Sequence, residues 1–154
     1  MRVDRIMSQP VITCRRTDAL NEASRLMWEH DCGVLPVVDT TGTIVGIITD
    51  RDICMAAYTQ GKTLRELCVE TGMAKRVITV DQGADLAEAE ALMSSNQVRR
   101  LPVVDGGRRP VGVLSLGDIA LHVPADEGPT VEQDVTHTFA AICRPKHRAL
   151  VTNL

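Results

Sequence analysis

Val34-Leu35-Pro36-Val37-Val38-Asp39, followed after a short gap by Val45-Gly46-Ile47-Ile48-Thr49-Asp50-Arg51-Asp52-Ile53, is the stretch on which the reading of this chain turns. It recurs 66 residues later as Leu101-Pro102-Val103-Val104-Asp105 and Val111-Gly112-Val113-Leu114-Ser115-Leu116-Gly117-Asp118-Ile119. The offset also holds upstream, setting Met7 on Met73, Thr13 on Thr79, Glu22-Ala23 on Glu88-Ala89 and Leu26-Met27 on Leu92-Met93. Across residues 7 to 53, 18 of 47 positions are identical to their partners, more than chance supplies, so the chain carries an internal duplication. Function is expected at or between two similar halves.

A chain of 154 residues holds either one ordinary domain or two half-size units that must share a core, since neither half alone buries enough surface. The hydrophobic fraction of 44% argues against disorder, and with only Trp28, Tyr58 and Phe139 as aromatics the core must be aliphatic. A net charge of -3 gives no general attraction to polyanions but leaves room for a local basic pocket. No apolar run is long enough to span a membrane and no signal-peptide core follows Met1, so a cytoplasmic protein without membrane association is expected. Five widely spaced cysteines suit free thiols in a reducing compartment better than a disulfide framework.

In chain order, residues 1 to 7 read as a helical turn carrying Val3, Ile6 and Met7 inward, closed by Ser8-Gln9-Pro10. The pattern then predicts a strand at Val11–Thr13, a helix over 19–30 ended by Gly33, strands at Val34–Val38 and Ile44–Thr49, and a helix to Tyr58 capped by Asp50. The first helix lacks a sharp start, leaving Thr17 or Asp18 as its cap. The second copy predicts a short helix from Thr63 to Cys68, strands at 77–80, 101–104 and 110–115, and helices at 86–95 and 116–123. Asp85 and Glu88 have capping-box spacing at the first of those helices. Pro36 and Pro102 lack the N–H that a central strand donates, so each marks an edge or a place where the strand faces something else.

This doubled pattern, a hydrophobic-Pro-Val-hydrophobic-Asp strand and a Gly-x-hydrophobic-Thr/Ser-x-x-Asp junction, resembles the cystathionine β-synthase (CBS) domain, and the pair resembles a Bateman module. The resemblance implies an α/β (α+β) fold, a tandem CBS-domain pair with each copy β-α-β-β-α, packed about a pseudo-twofold axis. The first motif spans residues 1–62 and the second 63–123. A C-terminal extension, 124–154, is expected to pack at a dimer interface through Phe139 and Ile142. The family also implies a non-enzymatic regulatory or sensor protein, an adenosine nucleotide (AMP, ADP or ATP) or S-adenosylmethionine as regulatory ligand with no required cofactor, a homodimer, and an unknown protein partner. The alternative is a ligand-free dimeric scaffold.

By that resemblance Asp52 and Asp118 hold ribose hydroxyls, Thr49 and Ser115 approach ribose or phosphate, and adenine is wedged by Ile12 with Leu35-Pro36 or by Ile78 with Leu101-Pro102. The residues support the chemistry independently: a carboxylate accepts two vicinal hydroxyls, and first-turn N–H groups favour an anion beside them. Arg51 shares that turn in the first copy; the second has Leu116-Gly117 there, with Arg99 and Arg100 as substitutes, so unequal sites are expected. Metal and catalytic sites are not expected, because the histidines at 30, 122, 137 and 147 share no short ligand spacing and no Cys-x-x-Cys occurs. Gly61-Lys62-Thr63 lacks the leading glycine of a phosphate-cradling Gly-x-x-x-x-Gly-Lys-Thr/Ser loop, Ala56 standing in its place, and a nucleic-acid partner is disfavoured by the scarcity of aromatics.

Overall fold

The computed structural model describes residues 1–122 and Phe139. The first repeat comprises β1 (Cys14–Arg15), α1 (Leu20–Glu29), β2 (Val34–Val38), β3 (Ile44–Thr49) and α2 (Asp50–Gln60). The second repeats the order as β4 (Val80–Asp81), α3 (Leu86–Asn96), β5 (Arg100–Val104), β6 (Pro110–Ser115) and α4 (Leu116–His122). One turn of 3-10 helix precedes each, at Val3–Arg5 and Val69–Thr71. The strands form two three-stranded sheets, β1-β2-β3 and β4-β5-β6, in which the first pair is parallel and the second antiparallel. A parallel pair needs a crossover, which α1 and α3 provide. Both helices bury their stripe against the sheet, Leu20, Ala23 and Met27 in one and Ala89 and Met93 in the other.

Several local expectations shift. The opening strands form at Cys14–Arg15 and Val80–Asp81, later than the Val11–Thr13 and 77–80 runs, and the second 3-10 turn lies beyond the expected 63–68 segment. Left-handed residues Asp31 (φ 48°) and Gln97 (φ 51°) end α1 and α3, so Gly33 is not the terminator. Pro36 lies in the middle strand of its sheet, yet β1 begins pairing only at Val37, so no strand on that side asks Pro36 for a donor.

The helix caps reveal how the halves join. Neither Asp85 nor any residue near Thr17 or Asp18 caps a helix through its side chain. Instead the Leu86 N–H donates to the Met1 carbonyl at 2.8 Å and the Leu20 N–H to the Leu67 carbonyl at 2.8 Å. Each repeat's leading segment has crossed to the other repeat. Val3 and Asp4 donate to the Ala84 and Gln82 carbonyls (3.0 and 3.2 Å), just as Val69 and Glu70 donate to those of Asp18 and Arg16 (2.8 and 2.9 Å). Further along, Ser8 bridges Val113 on β6 and Ala74 bridges Ile47 on β3. Every one of these pairs maps onto its counterpart by the 66-residue offset, which is the two-fold relation expected of the duplication.

Two cores result where one shared core was expected. Val3 and Ile6 are buried with Val80, Leu101, Leu114 and Ile119, whereas Leu67, Val69 and Met73 are buried with Cys14, Leu35, Ile48 and Ile53. Each large apolar side chain exchanged in this way contributes about 1.5–3 kcal/mol to the other repeat. Phe139 packs against the second core of its own chain, while Ile142 and the rest of the extension lie outside the described residues. Among the described residues no helix is long and apolar enough to cross a membrane.

Gly46 and Gly112 are the floor on which the exchanged segments rest. A Cβ at Gly112 would stand 2.6 Å from Met7 Sδ, 2.9 Å from its Cγ and 3.1 Å from the Ser8 carbonyl oxygen. Gly112→Ala is expected to destabilise the protein by about 1–3 kcal/mol through overpacking. Gly106→Ala, with no atom within 4 Å of the added carbon, should leave the urea midpoint nearly unchanged.

Candidate functional site

At the end of β3 the chain enters α2 through a reciprocal cap. Thr49 is the N-cap and Asp50 the first helical residue, so the cap falls one position earlier than the expected Asp50. Thr49 donates to Asp52 Oδ2 from its backbone N–H (2.9 Å) and its hydroxyl (2.8 Å), and the Asp52 N–H donates back to Thr49 Oγ1 (3.2 Å). Ser115 and Asp118 repeat the arrangement, with Oδ2 accepting from the Ser115 N–H (2.7 Å) and hydroxyl (2.6 Å) and the Asp118 N–H donating to Ser115 Oγ (3.1 Å). One oxygen of each carboxylate is thereby spent on the cap. Oδ1 is held out on a fixed side chain.

Asp118 lines a cleft of about 400 Å3, within the range of small-molecule sites. Its walls come from both repeats. Ser8 to Ile12 and His30 to Val34 belong to the first, and Arg100, Val113, Ser115 and Asp118 to the second. The Ser8 hydroxyl donates to Asp118 Oδ1 at 2.9 Å. At the other junction Ala74 stands in place of Ser8, and Asp52 Oδ1 accepts no hydrogen bond from any described residue.

The exchange re-sorts the expected site residues. Ile12 lines the cleft with Asp118 of the other repeat, and Ile78 is its counterpart on the segment that follows the Ala74–Ile47 bridge. Arg100, Ser115 and Asp118 share the cleft with Ile12. Thr49, Arg51 and Asp52 sit together at the start of α2, with Arg51 exposed. Arg99 is exposed and occupies the place of Gly33: the Leu116 N–H donates to the Arg99 carbonyl as the Asp50 N–H does to that of Gly33 (3.1 and 3.3 Å). Leu35 and Leu101 are fully buried in the two cores, so their side chains offer a ligand no surface. Strand alternation gives the cleft wall to Val34 and Arg100, leaving Pro36 and Pro102 buried on the cleft side, Pro102 opposite Val113. Ser8, His30 and Gly33 were missed, although the offset that aligns Met7 with Met73 also marks the segment that carries Ser8.

Arg100 makes no ion pair with a described residue; its Nη2 lies over Gly33, 3.5 Å from where a Cβ would be, with Asp50 Oδ2 at 3.1 Å from the same point. A second cavity of about 510 Å3 adjoins it between α1 and α2, lined by Met27, Trp28, Asp50 and Ile53 among others. Burial pushes the Cys14 thiol up to about 12, with the nearby Asp18 charge adding to the shift, so it carries no thiolate near neutrality. Burial also raises Cys32 in the cleft wall, opposed by the Val34 N–H and the Arg100 charge. Among the described residues no three His, Cys, Asp or Glu side chains are placed to hold a metal ion.

Comparison with known proteins matches residues 3–58 and 64–125 to the CBS domain family model. The CBS domain-containing protein YhcV of Bacillus subtilis is 34% identical over 121 residues, covering 79% of this chain and 84% of that protein. Among solved structures, the CBS domain pair of protein MJ0100 in complex with 5′-methylthioadenosine and S-adenosyl-L-methionine is 34% identical with a TM-score of 0.70, over 79% of this chain and 98% of that one. CBSX2 in complex with AMP is 25% identical with a TM-score of 0.66, over 78% and 93%.

The reciprocal caps set the carboxylates and support the helices at once. Removing the hydroxyl by Thr49→Ala is expected to cost about 1 kcal/mol of stability, whereas Thr49→Ser, which keeps the cap that Ser115 makes, should cost only a few tenths in chemical denaturation.

Proposed function

Because this chain belongs to the CBS domain family in tandem form, we propose that it is a regulatory sensor binding an adenosine-containing ligand in the clefts between its repeats. The observation that carries the reading is the twice-repeated Thr/Ser-x-x-Asp cap, which spends one carboxylate oxygen and leaves the other for a ligand, at Asp118 in the wall of a cleft built from both halves. Such an oxygen accepts a ribose hydroxyl without first being oriented. Ile12, Val34 and Val113 supply an aliphatic slot for a base, and Arg100 a guanidinium for an anionic or polar substituent. The relatives solved with AMP, 5′-methylthioadenosine and S-adenosyl-L-methionine support the same ligand class. No chemistry is assigned to either cleft.

A ligand bound by side chains of both repeats has a different affinity for each way the repeats pack, which is what a sensor requires. The output passes to a second copy of the chain and then to a protein partner. Two of the three aromatics, Trp28 on α1 and Tyr58 on α2, are 88% and 80% exposed, an arrangement that suits helices covered by another subunit. A ligand-free dimeric scaffold is the second reading, favoured by the Ser8 hydroxyl already resting on Asp118 Oδ1.

Calorimetric titration with AMP, ADP, ATP and S-adenosylmethionine is expected to show saturable binding of at least one. Asp52→Ala should abolish the component held at the first junction. A saturating ligand should raise the unfolding midpoint, the stability gained being about 2.7 kcal/mol at a hundredfold excess over Kd; no shift with any of the four would leave the scaffold reading. In light scattering, the Trp28→Ser/Tyr58→Ser variant is expected to run at half the mass of the parent, and an unchanged mass would remove these helices from the dimer face.

A further inference from the structure

At the Asp52 junction the backbone contacts repeat those around the Asp118 cleft, and the 66-residue offset places there counterparts of opposite charge. The Asp118 cleft is lined by Gln9, Pro10 and Gly33, with one guanidinium, Arg100, against the two carboxylates of Asp31 and Asp118. The 66-residue offset carries Gln9, Pro10 and Gly33 onto Lys75, Arg76 and Arg99. Two pairs of equivalent backbone contacts confirm that these positions are structural counterparts. Ala74 bridges Ile47 as Ser8 bridges Val113, which fixes the residues just before Lys75 and Gln9. The Leu116 N–H meets the Arg99 carbonyl as the Asp50 N–H meets that of Gly33, which fixes the opposite wall. The acidic Asp31 has neutral Gln97 as its counterpart, and Arg51, next to Asp52, has Gly117.

Lys75, Arg76 and Arg99 are all exposed, and none makes an ion pair with a described residue. Like charges brought to one rim repel one another, and a multivalent anion relieves that repulsion while gaining several charge-assisted hydrogen bonds. An uncharged ligand gains nothing from them. On the other side, a phosphate chain entering the Asp118 cleft would meet two carboxylates for one guanidinium, with Asp50 close behind Gly33.

Resting on the adenosine-binding reading above, we propose that the clefts take different adenosine compounds: the Asp52 cleft one that carries a polyphosphate, and the Asp118 cleft one without a phosphate chain. The carboxylate and the aliphatic slot set what the two ligands share, and the residues at 75, 76 and 99 set what separates them. The chain then reads two adenosine pools against each other, not one pool twice.

Calorimetry on the full chain with ATP and with adenosine, at low and high salt, tests this on the wild type, on Lys75→Gln/Arg76→Gln/Arg99→Gln, and on Asp52→Asn and Asp118→Asn. The asparagine variants keep one side-chain oxygen for the cap. Expected are a loss of ATP affinity of roughly tenfold or more in the triple variant and in high salt, with adenosine affinity unchanged as the internal check on folding. Asp118→Asn should weaken adenosine and spare ATP, and Asp52→Asn should weaken ATP. The inference is overturned if ATP binds the triple variant as tightly as the wild type, or if Asp118→Asn is the substitution that removes ATP. Should neither compound bind the wild type, the adenosine reading falls with it; should both bind irrespective of the rim charges, only the division of ligands falls.

Discussion

The exchange of leading segments between the repeats is the constraint from which the rest of the structure follows. Residues 1–8 complete the core and sheet of the second repeat, and residues 67–74 those of the first. Each segment also closes the N-terminus of the other repeat's crossover helix with a backbone carbonyl, a job that side chains usually perform. A half cut free would lose two or three buried aliphatic side chains, leave a helix end open and expose a strand edge together. At about 1.5–3 kcal/mol for each large side chain, that exceeds the margin on which a half-size unit survives.

The same crossing makes the clefts joint property. Ser8 to Ile12 must run past the end of β6 to pair with Val113, and the start of α4 lies where they pass. The carboxylate that one repeat offers therefore faces an aliphatic wall supplied by the other. A change in how the repeats sit moves the two walls of one cleft relative to each other, and a ligand spanning both feels that change in its binding free energy. Neither repeat has to deform internally. Separate, close-packed apolar cores resist deformation, so relative displacement is the softer coordinate.

Much of this was legible in the sequence because duplication reports itself. The hairpin strands, the two main helices of each copy and the Thr/Ser-x-x-Asp pairs follow from local pattern, and the structure has them, whereas the short opening strands form later than the β-forming runs suggest. The exchange was not legible, since a leading segment docked on its own repeat or on the other has the same sequence. Two local features depend on that choice: Ile12 lines the cleft of Asp118 and not a site of its own repeat, and the Leu86 N–H meets the Met1 carbonyl where the spacing of Asp85 and Glu88 suggests a side-chain cap. The burial of Leu35 and Leu101 in the cores has another origin. Both sit beside a proline in a strand, and only the side on which the core forms decides which alternate residues face out.

Where the two copies agree and where they differ then has a physical sense. Met7 and Met73 rest on Gly112 and Gly46, and the Leu-Pro-Val-Val-Asp strands match, because each must satisfy the same backbone approach and the same core volume. Gln9-Pro10 against Lys75-Arg76, Asp31 against Gln97 and Gly33 against Arg99 lie on rims that no core packs upon, where a change of charge costs little stability. The fold holds the backbone of both clefts alike, so divergence at those rims acts almost wholly on what each cleft attracts. A duplicated scaffold of this kind can separate two related ligands by changing rim charges alone, with the backbone of both junctions kept.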